Sequence, residues 1–323
     1  MDALHSELRR FKHVFVVCDR NVEAFARGIA PGRKLLPIEA SESSKNMDTV
    51  MGICRWLLSE GADRDALVLA VGGGVTTDMA GFAASIYKRG VRYGAVPTTL
   101  LSQVDAGIGG KTGVNLDGFK NLLGTIRQPE FTAIFPEVLE SLPEREIRSG
   151  AAEMLKTFVI KNPARAFERA ADFFSGEFRV NDTLVSLIQE AAAIKQAIVD
   201  RDEFEGGLRR KLNLGHTWAH AIEWWQTEGP GAGRTDYAHG EAVAIGMVQA
   251  ARLAEKLGIA QEAGLSPRIA EALAGCGLPT ELPCPQEELL PAMLKDKKAL
   301  DGRINLVLPV RIGKVIVKKT DSF

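Results

Sequence analysis

Apolar residues follow two rhythms along the chain. Up to about residue 134, short unbroken apolar runs alternate with stretches of helical period; beyond residue 144 the helical period takes over. The runs at 13–18, from Lys34 onward, at 67–71 and at 91–96 have the length and β-branching of buried strands. Asp19-Arg20-Asn21 reads as a turn, a helix is expected from about Met47 to Glu60, and another runs through Ala83, Ala84 and Ile86. Strands alternating with helices predict a parallel sheet covered on both faces. Strand signal fades after residues 131–134, and from 144 to 277 nearly everything has helical period. The best-defined helix is 183–200, with Leu184, Ile188, Ala191 and Ile198 on one stripe. Lys195 falls on that stripe; it either snorkels to the surface, the simpler expectation, or faces a polar cleft. Residues 304–308 and 315–317 return to strand around Ile312-Gly313. The pattern therefore divides the chain near Pro143, into an α/β domain at 1–143 and a mostly helical one at 144–323.

The strand at 67–71 runs into Gly72-Gly73-Gly74 and then into a helix, an order that makes a cradle for phosphate. Glycines admit close approach, and free N–H groups at a helix start attract anions. The run is not G-x-G-x-x-G, so it does not establish a standard dinucleotide fold, and a plain tight turn would also account for it. A second block follows the strand at 91–96: Pro97-Thr98-Thr99, then Asp105 through Gly113, then Lys120-Asn121. Read as two loops, it sets Lys111 and Lys120 among glycines, where an anion could reach both charge and backbone. Together the two blocks point to a nucleotide and phosphate site.

Composition narrows the class. The 323 residues carry a net charge of −1, which gives nucleic acid or an anionic membrane no electrostatic reason to bind. Four scattered cysteines, with no C-x-x-C pair, suggest neither a disulfide framework nor a thiolate metal site. No run reaches 18 apolar residues, so a soluble, cytoplasmic protein is expected.

Of five histidines, His216, His220 and His239 lie within 24 residues. His216 and His220 are spaced i, i+4 on a helix opening at Gly215, so their rings share a face. His239 precedes Gly240-Glu241 and another helix, and Glu153 is a carboxylate in an otherwise apolar helix. Two histidines and one carboxylate, with a position left open, make the donor set of a catalytic zinc site. The alternative is that each is a hydrogen-bonded helix residue. His-Glu-x-x-His and G-x-S-x-G are both missing, which argues against a zinc protease and a serine hydrolase.

Taken jointly, Gly72-Gly73-Gly74-Val75-x-x-Asp78, Tyr87-Lys88-Arg89-Gly90, Pro97-Thr98-Thr99, Gly109-Gly110-Lys111-Thr112-Gly113-Val114-Asn115 and Lys120-Asn121 resemble the 3-dehydroquinate synthase family. So do Leu142-Pro143-Glu144-Arg145-Glu146, Ala152-Glu153-x-x-Lys156, Leu212-Asn213-Leu214-Gly215-His216-Thr217, His220-Ala221-Ile222-Glu223, His239-Gly240-Glu241 and Asp296-Lys297-Lys298. The resemblance covers roughly residues 13–318. It implies an α/β nucleotide-binding domain with a parallel sheet, an all-α metal-binding domain, and a site in the cleft between them. Zinc, or cobalt, would sit on Glu153, His216 and His239, with His220 beside the metal. NAD would lie over Gly73, Gly74, Asp78, Thr98, Thr99 and Lys120, with Asp19, Glu42 and Lys45 near its adenosine end. Substrate would meet Asp105, Lys111, Asn121, Lys156, Lys195, Arg209, Asn213, His220 and Lys297, with Arg89 reaching over from the partner in a homodimer.

The reaction so implied turns 3-deoxy-D-arabino-heptulosonate 7-phosphate into 3-dehydroquinate and phosphate, through a transient NAD redox cycle, β-elimination and aldol closure. In the family the departing phosphate can itself serve as the base. Relatives that close other sugar phosphates into valiolone-like or inosose-like rings, metal-dependent polyol dehydrogenases, and a non-enzymatic nucleotide-binding module are the competing readings. The chain departs from the family at Ala219, where glycine is usual, and in its bulky Trp218 and Trp224-Trp225. With a dozen residues before its first strand, it is also expected to lack any N-terminal strand pairing of longer members.

Overall fold

The computed structural model describes residues 1–117, 119–294 and 304–320. The chain divides into two compact units, Met1–Leu142 and Pro143–Phe323.

The first unit is built on four strands, β1 (Val14–Asp19), β2 (Lys34–Ile38), β3 (Leu67–Gly72) and β4 (Arg92–Pro97). All pairings are parallel and the order is β2-β1-β3-β4. Side chains alternate between the faces of a strand, so each central strand must be apolar at every position to serve two cores. On one face Phe15, Val17, Val68 and Ala70 meet α3 (Met47–Ser59) through Val50, Ile53 and Leu57, and α4 (Gly74–Ile86) through Met79, Ala80 and Ala83. On the other, Val14, Val16, Leu67, Leu69 and Val71 meet α1 (Asp2–Arg9) and α2 (Glu23–Ile29). Asn46 opens α3 by accepting from Thr49 N at 3.0 Å. The apolar pattern does not predict α1; the two residues it buries are Leu4 and Leu8.

The stretch read as two glycine loops is different. Residues Lys111–Leu116 (β5) and Phe119–Ile126 (β6) form an antiparallel hairpin, Ser102–Ala106 is a short π-helical turn, and only the residues just after it are irregular. Gly113 and Gly124 pair across it, where a Cβ would come within 2.5 Å of Leu123 O and 2.1 Å of Thr112 O. These glycines let two strands close on each other, a strand use that the turn reading overlooks. Residues 131–134 contribute a single parallel bridge, Ala95 to Thr132.

The second unit holds α5 (Glu144–Ile160), α6 (Ala166–Ser175), α7 (Asp182–Val199), α8 (His216–Thr227), α9 (His239–Lys256), α10 (Leu265–Gly275) and α11 (Gln286–Met293). An antiparallel hairpin of β7 (Ile304–Arg311) and β8 (Lys314–Thr320) joins them. Helices α5 and α9 are buried around almost their whole circumference, which makes them the centre of the bundle. Two glycines let α9 lie close to its neighbours. A Cβ on Gly240 would stand 2.2 Å from Ser149 O of α5, and one on Gly246 would stand 2.0 Å from Gly215 O, just ahead of α8. Bulk at Trp225 is absorbed locally: a Cβ at Gly231 would lie 2.4 Å from its indole, whose Nε1 donates to Glu288 at 2.8 Å.

Helix α7 starts at an Asn181 cap and buries Leu184, Leu187, Ile188, Ala191, Ile194, Lys195 and Val199. Lys195 is only 7% exposed, so the snorkelling expectation fails. Ile198, expected on the stripe, is half-buried and Val199 takes the inner position.

Candidate active site

In the first unit the candidate residues gather at the carboxyl edge of the parallel sheet, where α/β sheets bind ligands. Asp19 ends β1, with its carboxylate accepting from Asn21 N at 2.8 Å. Gly73 and Gly74 follow β3, and Thr98 and Thr99 follow β4. A Cβ on Gly73 would meet Thr99 Cγ2 at 2.9 Å, and one on Gly74 would meet Ala106 Cβ at 3.1 Å, so the turn and the β4 end are packed together. Helix α4 begins at this turn with no side-chain cap, which leaves its first-turn amides to a ligand. Thr98 is buried and donates its amide to Gly72 O; the Thr99 hydroxyl pairs with Ser102 at 2.9 Å.

Lys45 organises the polar part of this edge. Its side chain is 6% exposed and donates to Asp78 Oδ2 and Asn121 Oδ1, each at 2.6 Å. Asn121 sits in the left-handed region, φ 53°, and its amide donates to Asn115 Oδ1 at 2.9 Å. Asn115 in turn donates to Glu42 Oε2 at 3.0 Å. Four expected residues (Glu42, Lys45, Asp78 and Asn121) thus belong to one network. Asn115, which the sequence reading left without a role, links them; its strand position beside Lys111 was the available signal. Lys111 and Lys120 are exposed on β5 and β6, and Asp105 is half-buried in the turn before them. Arg89 is exposed, at φ 68° between Lys88 at 49° and Gly90 at 113°, a left-handed run that a bulky residue enters at a cost of about 1–3 kcal/mol.

In the second unit Glu153 comes from the middle of α5, His216 from the first position of α8 and His239 from the first position of α9. The two glycine contacts of α9 hold these three helices at close range. Glu153 Oε1 lies 3.7 Å from His216 Nε2 and 3.4 Å from His239 Nε2, and the three ligand atoms fall within 4.8 Å of one another. Ligand atoms of a tetrahedral zinc ion stand about 3.3 Å apart, given zinc–ligand bonds of about 2.0–2.1 Å. Glu153 is wholly buried, and neither of its oxygens accepts a well-formed hydrogen bond, although Lys156 on the next turn makes an ion pair with it. A buried carboxylate left in this condition fits a cation ligand. Burial alone would lower the His239 pKa, yet the carboxylates of Glu153 and Glu223 push it up to about 10, so the position favours positive charge.

The outward nitrogens of both histidines are held. His216 Nδ1 is 3.2 Å from Leu214 O, and His239 Nδ1 is 3.0 Å from Glu223 Oε1. His220 is exposed one turn after His216, their rings 5.5 Å apart, and it lies outside the three-ligand set. Lys156, Lys195 and Arg209 are all buried, on α5, α7 and the short 3-10 segment Leu208–Asn213, which pack on one another. Arg209 donates to Glu203 O at 2.5 Å, and Asn213 donates to Glu205 Oε1 at 2.7 Å. Lys297 lies outside the described residues.

An α/β unit with an uncapped glycine turn at its strand ends, and a helical unit with a two-histidine, one-carboxylate set that could hold a metal ion, are the parts of an enzyme. Family models make it specific: the 3-dehydroquinate synthase N-terminal model matches residues 35–149 and the C-terminal model matches residues 150–299. The chain belongs to the 3-dehydroquinate synthase family. It is 44% identical over 282 residues to a 3-dehydroquinate synthase of Acidithiobacillus ferrooxidans, covering 87% of this chain and 75% of that one. It is 43% identical over 302 residues to one of Thermococcus kodakarensis, covering 93% and 82%. Among solved structures, a 2-epi-5-epi-valiolone synthase of Streptomyces hygroscopicus with NAD+ and Zn2+ bound aligns with a TM-score of 0.87 at 30% identity, over 98% of this chain and 89% of that one. A probable glycerol dehydrogenase of Sinorhizobium meliloti, 13% identical with a TM-score of 0.61 over 91% and 93%, shares the fold.

Proposed function

We propose that this chain is a 3-dehydroquinate synthase, converting 3-deoxy-D-arabino-heptulosonate 7-phosphate into 3-dehydroquinate and phosphate as a phosphate-eliminating carbon–oxygen lyase. The observation that carries this reading is the Glu153, His216 and His239 set, its ligand atoms within 4.8 Å, in a member of this family. Glu153, His216 and His239 would hold zinc or cobalt, and Gly73, Gly74, Asp78, Thr98, Thr99 and Lys120 would hold NAD, with Asp19, Glu42 and Lys45 toward its adenosine end. When bound, the metal supplies Lewis acidity at a substrate hydroxyl and NAD supplies a reversible store for one hydride.

The chain's own side chains do the rest. Lys156, Lys195 and Arg209 are cations already withdrawn from water, and they suit a substrate that carries both a phosphate and a carboxylate. Fixed before the reaction, they stabilise negative charge as it develops without reorganising solvent. His220, exposed with its ring 5.5 Å from that of His216, is the side chain placed to pass a proton close to the metal ligands. Asp105, Lys111, Asn121 and Asn213 complete the substrate contacts. Arg89, held exposed by a left-handed backbone, serves the partner subunit of a homodimer. None of the described helices is long and apolar enough to cross a membrane.

The test is phosphate release from the heptulosonate phosphate with NAD present only in trace amounts. Release of phosphate and 3-dehydroquinate far beyond the NAD equivalents, with no net NADH, is expected. NADH accumulating with substrate oxidation and no phosphate release would instead make the chain a dehydrogenase.

A further inference from the structure

We propose that Glu223 is a positioning residue for the metal: it holds His239 with Nδ1 protonated and Nε2 turned toward Glu153 and His216. This inference rests on the reading of those three residues as metal ligands. Glu223 Oε1 lies 3.0 Å from His239 Nδ1, and the Glu223 side chain is 6% exposed. A neutral imidazole binds a metal through one nitrogen, and the hydrogen bond made by the other decides which nitrogen that is. His216 is fixed in the same sense by the Leu214 carbonyl at 3.2 Å, so both rings direct Nε2 inward and anchor Nδ1 outward. Helix α8 therefore plays two parts. It supplies His216 as a ligand, and two turns later, on the same face, it supplies the anchor for the ligand on α9.

A second carboxylate also raises the basicity of the His239 ring and adds negative charge near the cation, both of which strengthen binding. Glu223 could not do this from an exposed site, where water would screen it and the ring would be free to turn. The flanking residues Ala221, Ile222 and Trp225 are buried, so the backbone that carries Glu223 is set by packing.

The experiment is chelator competition for Zn2+ with the full chain and its Glu223→Gln and Glu223→Ala variants, with folding checked by circular dichroism. Loss of an outer partner of a metal ligand weakens metal binding about 10–100-fold. Both variants are expected to fall in that range, and the Co2+ absorption spectrum of Glu223→Gln is expected to shift. A folded Glu223→Gln that binds within about twofold of the unsubstituted chain would overturn the proposal; a purely structural role would lower Tm and leave affinity and spectrum alone. If the unsubstituted chain takes up no stoichiometric Zn2+, the metal reading fails first, and this inference with it. A measurement without any variant is the 15N–1H imidazole spectrum of the Zn2+-loaded chain. His239 bound through Nδ1 instead of Nε2 would refute the arrangement.

Discussion

Lys45 shows what one side chain can hold together at the carboxyl edge of the sheet. It comes from the loop before α3, yet its ammonium donates to Asp78 on α4 and to Asn121 on β6. Replacing it by methionine keeps the stem's apolar packing and deletes the charge. Asp78, at 18% exposure, would lose its ion-pair partner, and Asn121 would lose the donor that engages its side-chain oxygen. Asp78 is only half-buried and Asn121 is exposed, so water replaces much of what is lost and the cost stays at or below about 1 kcal/mol. Lys45→Met is therefore expected to lower the urea midpoint with an unchanged m-value, and to weaken NAD binding in a fluorescence titration. A stability equal to that of the parent would show that the network forms without its centre. The sequence places Lys45 near the cofactor only through family likeness. Nothing in the local pattern around residue 45 reveals partners 33 and 76 positions away.

At the level of the helix, the spacing of Glu153, His216 and His239 depends on how closely α9 lies against α5 and α8. Gly246 and Gly52 make a contrast that isolates this effect. Both are helical glycines, but a Cβ on Gly52 would meet nothing within 4 Å, whereas one on Gly246 would stand 2.0 Å from a backbone oxygen. Gly52→Ala on α3 is expected to stabilise by about 0.5–1 kcal/mol, because alanine gives up less backbone freedom on folding. Gly246→Ala is expected to destabilise by about 1–3 kcal/mol, since the added methyl must push two helices apart. It should also weaken Zn2+ binding, because His216 and His239 ride on the helices that separate. Thermal unfolding of the two variants should shift Tm in opposite directions; equal shifts would mean that the crossing has room to spare. The strands at 13–18, 67–71 and 91–96 and the helix at 183–200 are legible from sequence because their apolar period is set by their own burial. The Gly240 and Gly246 contacts and the Gly113–Gly124 approach are not. A glycine's need is set by the backbone opposite it, and one-dimensional pattern reads the same residue as a turn. Lys195 misleads for a related reason: an apolar stripe shows which face is buried, and not whether polar groups wait on the other side.

For the molecule as a whole, the open choice is between substrates, since one metal site and one cofactor can serve several ring closures. The chain is 44% identical to a 3-dehydroquinate synthase and 30% identical to a 2-epi-5-epi-valiolone synthase that shares its fold at a TM-score of 0.87, so fold does not decide between them. The buried cations give a way to test the choice. Lys156, Lys195 and Arg209 stand in three different elements of the helical unit, and a substrate with only a phosphate offers them fewer anionic oxygens than one that also carries a carboxylate. A hydrogen bond between charged groups is worth about 1.5–3 kcal/mol, and 1.4 kcal/mol is about a factor of ten in rate. Without the bond that the carboxylate would make to one of these cations, kcat/KM for sedoheptulose 7-phosphate, the seven-carbon analogue lacking the carboxylate, should fall at least about tenfold below that for 3-deoxy-D-arabino-heptulosonate 7-phosphate. The two are offered together, phosphate release is followed, and the ring products are identified by mass. A preference for the sugar without the carboxylate would overturn the substrate assignment, and would assign the three cations to the phosphate alone. Neutralising Arg209 by Arg209→Gln should then narrow the preference if the carboxylate is its partner, because the loss falls on one substrate and spares the other. If the variant slows both substrates equally, Arg209 serves a group they share, and the carboxylate falls to another cation of the set.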